Sequence, residues 1–447
     1  MKIKGSISRF FVRRPVASFV MVFLFMILLG VLLLRADWAS FEKISFIDAL
    51  FIATSAVCVT GLATLNIGSD FTIAGQIVIL FLIQVGALGI MTGAAFILLI
   101  LKKRLGIKAE AGLKTILEEV YISEVWPTIK FIIKATFIIE FFGAVAIFIL
   151  WNGDFLDQTQ LIFYSIFHSI SAFCNAGFSL FPNSLENYSG NILINIVFST
   201  LIIFGGIGFL VLRNVGQRLF FFRRRKIRLT LHSKLVLLFS VFLIFMGAFL
   251  FYFFESENLS SLPEGEKVVI SFFQSATKTA GFTTVDVEKF SNSTIMLFMF
   301  LMFIGGAPGS VAGGIKVVSL AIILFFIFSF FKEKKEITIF NRSLSQTQIR
   351  NVFVLVSVYL MFCLVISFLM LYIEKESFEK VLFEVFSAVG TVGLSSGLTS
   401  NLSEAGKILI TLSMFVGRIL PLSIAIIGSK DLLESKIQFS EEKVYLG

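Results

Sequence analysis

Eight apolar stretches, each long enough to cross a lipid bilayer as a helix, leave this chain few ways to fold. They cover residues 15–34, 75–101, 129–151, 191–211, 235–254, 295–330, 352–372 and 406–427. A helix needs about 20 apolar residues, rising about 1.5 Å each, to cross about 30 Å of hydrocarbon. With 57% hydrophobic and only 15% charged residues, the chain also has too few polar groups to clothe a soluble surface. An all-α polytopic membrane protein is expected.

The basic residues sit in short runs between these stretches, so the net charge of +9 points to a membrane surface and not to nucleic acid. One set of loops carries Lys2, Lys4, Arg9, Arg13 and Arg14, then Lys102, Lys103, Arg104 and Lys108, then Arg213, Arg218, Arg223, Arg224, Arg225, Lys226 and Arg228, then Lys332, Lys334 and Lys335. The opposite loops lean acidic, with Asp154, Asp157, Glu255, Glu257, Glu264, Glu374 and Glu376. The positive-inside rule places both termini in the cytoplasm. Cys58, Cys174 and Cys363 stand in apolar contexts without metal or CxxC spacing and read as reduced. No cleavable signal peptide is evident.

Between the two spans of each pair lies a segment too short to cross, ending in a glycine: 45–62, 161–178, 268–282 and 380–394. Each reads as a re-entrant element, a half-helix down and extended chain back. The key glycines Gly61, Gly177, Gly281 and Gly393 recur at intervals of 116, 104 and 112 residues. A second marker, Gly86, Gly205, Gly305 and Gly417, follows each by 25, 28, 24 and 24 residues. These are four parallel repeats, 1–101, 102–215, 216–331 and 332–447, expected to stand pseudo-four-fold around a central pore with eight transmembrane and four pore helices.

The return segments read Val59-Thr60-Gly61, Asn175-Ala176-Gly177, Thr279-Ala280-Gly281 and Thr391-Val392-Gly393. A dehydrated cation in a bilayer needs a cage of oxygens, and backbone carbonyls from four strands can supply one. Glycine allows the backbone angles that turn those carbonyls inward. Packing glycines at helix interfaces are the competing explanation, but four in matched contexts favour a filter. Asn175 departs from the expected Thr.

The motifs VCVTGL, FCNAGF, KTAGF and GTVGL resemble the KtrB-type membrane subunit of the bacterial Ktr/Trk potassium uptake family, and the resemblance covers nearly the whole chain. The KtrB type fits because no extra pair of spans precedes the first repeat. The resemblance implies K⁺ as the transported ion, with K⁺ preference tied to a Gly at position 61, and leaves Na⁺ open as an activator. It further implies a homodimer in the bacterial plasma membrane and a separate cytosolic ring of nucleotide-binding RCK subunits of the KtrA type.

The sixth stretch contains Gly305, Gly306, Ala307, Pro308, Gly309, Ser310, Val311, Ala312, Gly313 and Gly314. Glycine and proline at this density unwind a helix, and unwound backbone at membrane depth belongs beside a cavity or inside protein. The resembling family places an intramembrane gating loop here. Arg418, inside the last stretch and one repeat on from Gly305, is a functional candidate by its cost. In the family it faces the pore as a barrier; pairing with Glu140 or Glu384 is the alternative. Lys316 either snorkels or contacts the loop, and Lys278 reads as a tether and not an ion-facing group. Asp48 and Glu384 are candidates to support the filter, His168 reads as a packing residue and His232 as solvated.

A secondary transporter with a midplane site would need substrate-sized polar residues, of which the spans have few. An intramembrane hydrolase would need a Ser and a His base at one depth, and His168 and His232 stand beside no such motif. An enzyme is not expected.

Overall fold

The structure is a computed structural model that describes residues 15–102, 125–220, 229–333 and 336–428. Most of the basic clusters that orient the chain, at 2–14, 103–108, 223–228 and 334–335, lie outside the described residues.

The described chain is almost entirely helical, and one order recurs: a long apolar helix, a short helix, a glycine turn, then a further apolar segment. The first set is α1 (Pro15–Leu34), α2 (Phe46–Val57) and α3 (Ile73–Lys102). The second is α4 (Val125–Trp151), α5 (Gln158–Phe173) and α6 (Ile192–Ile207), prolonged by α7 (Phe209–Phe220). The third is α8 (Leu231–Phe254), α9 (Glu264–Ala276) and the pair α10 (Asn292–Phe303) and α11 (Val317–Phe331). The fourth is α12 (Gln346–Glu374), α13 (Phe378–Gly390) and α14 (Glu404–Gly428). A two-residue hairpin, β1 (Thr338–Ile339) with β2 (Arg342–Ser343), joins the third set to the fourth.

Polar caps start three of the four short helices. Ser45, Asp157 and Ser377 hold extended backbone and accept first-turn N–H groups at the heads of α2, α5 and α13. Among the described residues, α1, α4, α8 and α12 are each long and apolar enough to cross a membrane, and α6 with α7 counts as a fifth if taken as one bent span. That bend departs from the uninterrupted span expected over 191–211. The chain turns by 102° at Gly208, whose φ of 90° only glycine adopts easily. The freed Phe209 N–H donates to the Gly309 carbonyl at 3.1 Å. The expected interruption at 305–314 is present, between the end of α10 and the start of α11.

The apolar segment after the glycine turn in each set packs on the short helix of the next: α3 on α5, α6 on α9, α10 on α13 and α14 on α2. The contacts therefore close into a cycle. Phe51, Phe173, Phe198, Phe282 and Phe298 are buried between the helices, while Phe25, Phe141, Phe249 and Phe368 on α1, α4, α8 and α12 stand exposed. Large apolar side chains facing outward on the long helices suit a lipid surrounding.

Candidate ion-conduction site

The cycle of helices brings the four glycine turns together. A Cβ on Gly61 would overlap the Ala176 carbonyl oxygen, and one on Gly177 the backbone of Gly281. On Gly281 it would lie 2.8 Å from the Gly393 carbonyl carbon and oxygen, and on Gly393 it would overlap the Thr60 carbonyl oxygen. Each turn thus abuts the next in chain order, and the fourth returns to the first. The ring is made of backbone, with no room for a side chain at any of its glycines. The flanking Val59, Ala176, Ala280 and Val392 side chains are buried, whereas Gly61, Gly281 and Gly393 keep partial exposure.

Hydrogen bonds from the end of each short helix fix the turns. In the first, second and fourth, Thr60, Ala176 and Val392 donate N–H groups to the carbonyls of Ser55, Ser171 and Ser387 at 2.8, 2.8 and 2.9 Å. The Ser55 and Ser387 hydroxyls also accept from the Gly61 and Gly393 N–H groups, at 3.0 and 3.1 Å, while the Ser171 hydroxyl donates to the Phe178 carbonyl at 2.7 Å. A serine six residues before every glycine, Ser275 included, is a recurrent signal that the sequence reading passed over.

A polar side chain on each short helix also holds the strand leaving its turn. Thr64 donates to Asp48 at 2.8 Å, Gln274 donates to Thr283 at 2.9 Å, and Ser395 donates to Glu384 at 3.1 Å. His168 lies 3.1 Å from the Ser179 hydroxyl and accepts from the Leu180 N–H at 3.3 Å. His168 therefore does more than pack, although its ring also stacks on Phe181. Asp48 and Glu384 each hold the segment that follows a glycine turn. At its outer end Asp48 pairs with Lys407 at 2.7 Å, joining the fourth set to the first. Burial pushes the Asp48 carboxyl up, but hydrogen bonds from Lys407, Ser45 and Thr64 outweigh it and leave it below the ordinary carboxylate value. His232, expected in solvent, has both ring nitrogens buried.

Asn175 has a structural explanation. Its φ of 56° is left-handed, as at the matching Val59 and Thr391, so its side-chain contacts and not its backbone account for it. Its amide lies 2.8 Å from the Thr279 hydroxyl. Oriented to satisfy both ends, it accepts there and donates to the Phe173 and Ile202 carbonyls at 3.1 Å each. It locks the second turn to the third.

The interrupted segment is an ordered, mostly buried loop against the ring. Its limbs pair in parallel, with the Gly305 N–H donating to Ile315 at 2.9 Å and the Ile315 N–H donating to Phe303 at 3.0 Å. The Ala307 and Val311 N–H groups donate to the carbonyls of Gly206 and Gly205 at 2.9 and 3.3 Å. A Cβ on Gly313 would overlap the Thr391 hydroxyl. The loop thus touches the break after α6 and the fourth turn. The Lys316 ammonium donates to the Ala312 carbonyl at 2.7 Å, so this side chain contacts the loop. The Lys278 ammonium donates to the Ile304 carbonyl at 2.9 Å, a tether as expected.

Arg418 is 5% exposed, and its Nε and Nη2 atoms have no hydrogen-bond partner. Neither candidate acid pairs with it. Glu140 is held by Gln84 at 3.3 Å and Cys174 at 3.7 Å, and Glu384 by Ser395. The electrostatic neighbours of Arg418 are Cys58 and Cys174, which close the first two short helices, together with Tyr359 and Lys316. A cation with free donors therefore stands at the base of the turns, beside the loop.

The family described as TrkH, cation transport protein, matches residues 13–439. The potassium/sodium uptake protein NtpJ of Enterococcus hirae is 37% identical over 97% of each chain. The Ktr system potassium uptake protein B of Bacillus subtilis is 37% identical over 95% of each, and that of Vibrio alginolyticus 35% identical over 95% of this chain and 93% of its own. The crystal structure of the potassium transporter TrkH from Vibrio parahaemolyticus has the same fold, with a TM-score of 0.73 at 20% identity over 93% of this chain and 84% of that one.

Proposed function

This chain belongs to the TrkH family of cation transport proteins, and from that premise we propose that it is the ion-conducting subunit of a K⁺ uptake system. The closed ring of Gly61, Gly177, Gly281 and Gly393 carries the reading. Residues 59–61, 175–177, 279–281 and 391–393 form a carbonyl-lined selectivity filter at the axis of four parallel repeats, in which α2, α5, α9 and α13 are the pore helices and eight segments cross the membrane. Backbone oxygens replace the hydration shell of a bare cation, and a ring without side chains suits that role. Residues 305–314 form a gate on the cytoplasmic side, and Arg418 opposes cations with its charge. Both termini are cytoplasmic in a bacterial plasma membrane.

The relatives named as Ktr and Trk potassium uptake proteins support K⁺ as the cargo, and the sodium in one relative's name keeps Na⁺ in view as a second ion. A homodimer working with a cytosolic nucleotide-binding ring of the KtrA type completes the proposed assembly. A secondary transporter with a midplane site would gather polar side chains where this ring presents backbone.

The test is ion flux from liposomes holding the purified full chain, with K⁺ or Na⁺ gradients applied in turn. K⁺ flux should exceed Na⁺ flux. Equal flux of the two, or transport that saturates only with a coupled second solute, would overturn the reading.

A further inference from the structure

In three of the four sets, the second glycine marker lets a helix lie directly on the end of its own short helix. A Cβ on Gly86, Gly205 or Gly417 would overlap the carbonyl oxygen of Val57, Phe173 or Val389, each four residues before its turn glycine. Backbone pressed on backbone fixes the base of those turns. In the third set the corresponding contact is missing. Gly305 backs onto the Gly313 carbonyl of the loop instead.

Lys278 occupies the vacant role. It sits in the short turn Thr277–Thr279 that follows α9, three residues before Gly281. Lys278 is 5% exposed, and its ammonium bonds the carbonyl of Ile304, the residue just before Gly305. Ile304 pairs with Ile315 across the loop, and Lys316 beyond it bonds Ala312. One ammonium therefore carries both the base of the third turn and the first limb of the loop. A buried ammonium is costly, so at membrane depth it marks a functional position by default.

We infer that Lys278 is a positioning residue that couples the ring to the loop, so that cation occupancy of the ring biases how firmly the loop is seated. The inference rests on the conduction reading. The coupling needs no long pathway, because ring, ammonium and loop form one chain of direct contacts. The third turn is also held from its other side by Asn175 on Thr279, so a shift of that turn on cation binding has Ile304 as its outlet.

The experiment uses the full chain in liposomes with Ser310→Cys as a reporter in the loop; the three native cysteines are buried. The labelling rate by a thiol reagent is measured in K⁺ and in choline, in the Lys278 background, in Lys278→Met and in Lys278→Arg. With Lys278 the rate should change between K⁺ and choline. Lys278→Met should label about tenfold faster in both, the factor expected from losing one charge-assisted hydrogen bond, and should lose the K⁺ response. Lys278→Arg, which keeps a donor, should restore part of it. A general loss of packing would not be rescued by Arg and would not erase the ion response selectively. If Lys278→Met labels like the parent with the same K⁺ response, the inference falls. If the parent shows no K⁺ response while conducting K⁺ selectively, the coupling falls and the conduction reading stands. Absence of selective flux from folded parent protein would instead strike the conduction reading itself. Should Lys278→Met fail to fold, Lys278→Gln and the ion response of the parent still decide.

Discussion

Two kinds of glycine turn meet in one ring. In the first, second and fourth, the residue two before the glycine, Val59, Asn175 or Thr391, has a φ of 56°, 56° or 48°, and the glycines follow at 100°, 72° and 98°. In the third, neither Thr279 nor Gly281 is left-handed; the chain runs through a short helical turn into extended Ala280. Its Ala280 N–H donates to Thr277 at 2.7 Å instead of reaching back to Ser275. The same set carries the interrupting loop and the buried Lys278. Three turns of the ring thus share one backbone design, and the third departs from it. On the proposed reading, the three like turns would hold the cage and the third repeat would carry the asymmetric part that controls the pathway.

The difference between the turns can be broken most directly at the glycines. Gly61→Ser forces a side chain into a left-handed site and against the Ala176 carbonyl, a strain of about 1–3 kcal/mol before any clash is counted. K⁺ over Na⁺ preference should fall by about tenfold or more. Gly281→Ser meets only the crowding at Gly393, without the φ penalty, and should cost less. Growth of an uptake-deficient strain at low K⁺, with Na⁺ flux in liposomes, measures both. Equal losses at the two positions would mean that the turns are interchangeable.

Deletion of residues 307–312 sharpens the comparison from the other side, because it removes the feature that sets the third repeat apart. The loop is seated by several backbone hydrogen bonds, each worth about 1 kcal/mol net. K⁺ flux through the chain alone should rise about tenfold or more. Arg418→Ala should raise it by a smaller factor, and the two changes together should give less than their product if both act at one constriction. Low flux from the deleted but folded protein would reduce the loop to a structural kink.

The glycine turns were legible because they repeat; four copies of one short pattern need no alignment to be noticed. The second glycine marker was legible as a spacing, but its cause, the carbonyls of Val57, Phe173 and Val389, exists only once the helices cross. The loop announced itself through the helix-breaking run from Gly305 to Gly314. The bend at Gly208 did not, since 204–209 reads as an apolar span with tolerable glycines, and the partner that stabilises the break, Gly309, lies a full repeat away. The departure at Asn175 has no cause within the motif, because the partner that explains it, Thr279, belongs to the next turn. The role of Lys278 was half legible. A lysine beside the third glycine turn needs a partner for its ammonium, but nothing local in the sequence names Ile304 as that partner.

The smallest expected effect separates the turns by a single hydroxyl. Ser55, Ser171, Ser275 and Ser387 stand at one position in the four repeats, but their hydroxyls do different work. Those of Ser55 and Ser387 accept the N–H of the ring glycines themselves. That of Ser275 donates to the Ile244 carbonyl on α8, away from the ring, at 2.7 Å. Substitution by alanine removes one hydrogen bond in each case, worth about 1 kcal/mol. In Ser55→Ala and Ser387→Ala the loss falls on a glycine N–H whose orientation sets the neighbouring carbonyls, so selectivity should drop a few-fold at nearly normal thermal stability. In Ser275→Ala the loss falls on the packing of α9 against α8, so stability should drop while selectivity holds. Thermal unfolding and K⁺/Na⁺ flux ratios on the three variants read the two quantities separately. A drop in selectivity for Ser275→Ala as large as for Ser55→Ala would show that all four serines act on the ring alike, and the third turn would then be less exceptional than its backbone suggests.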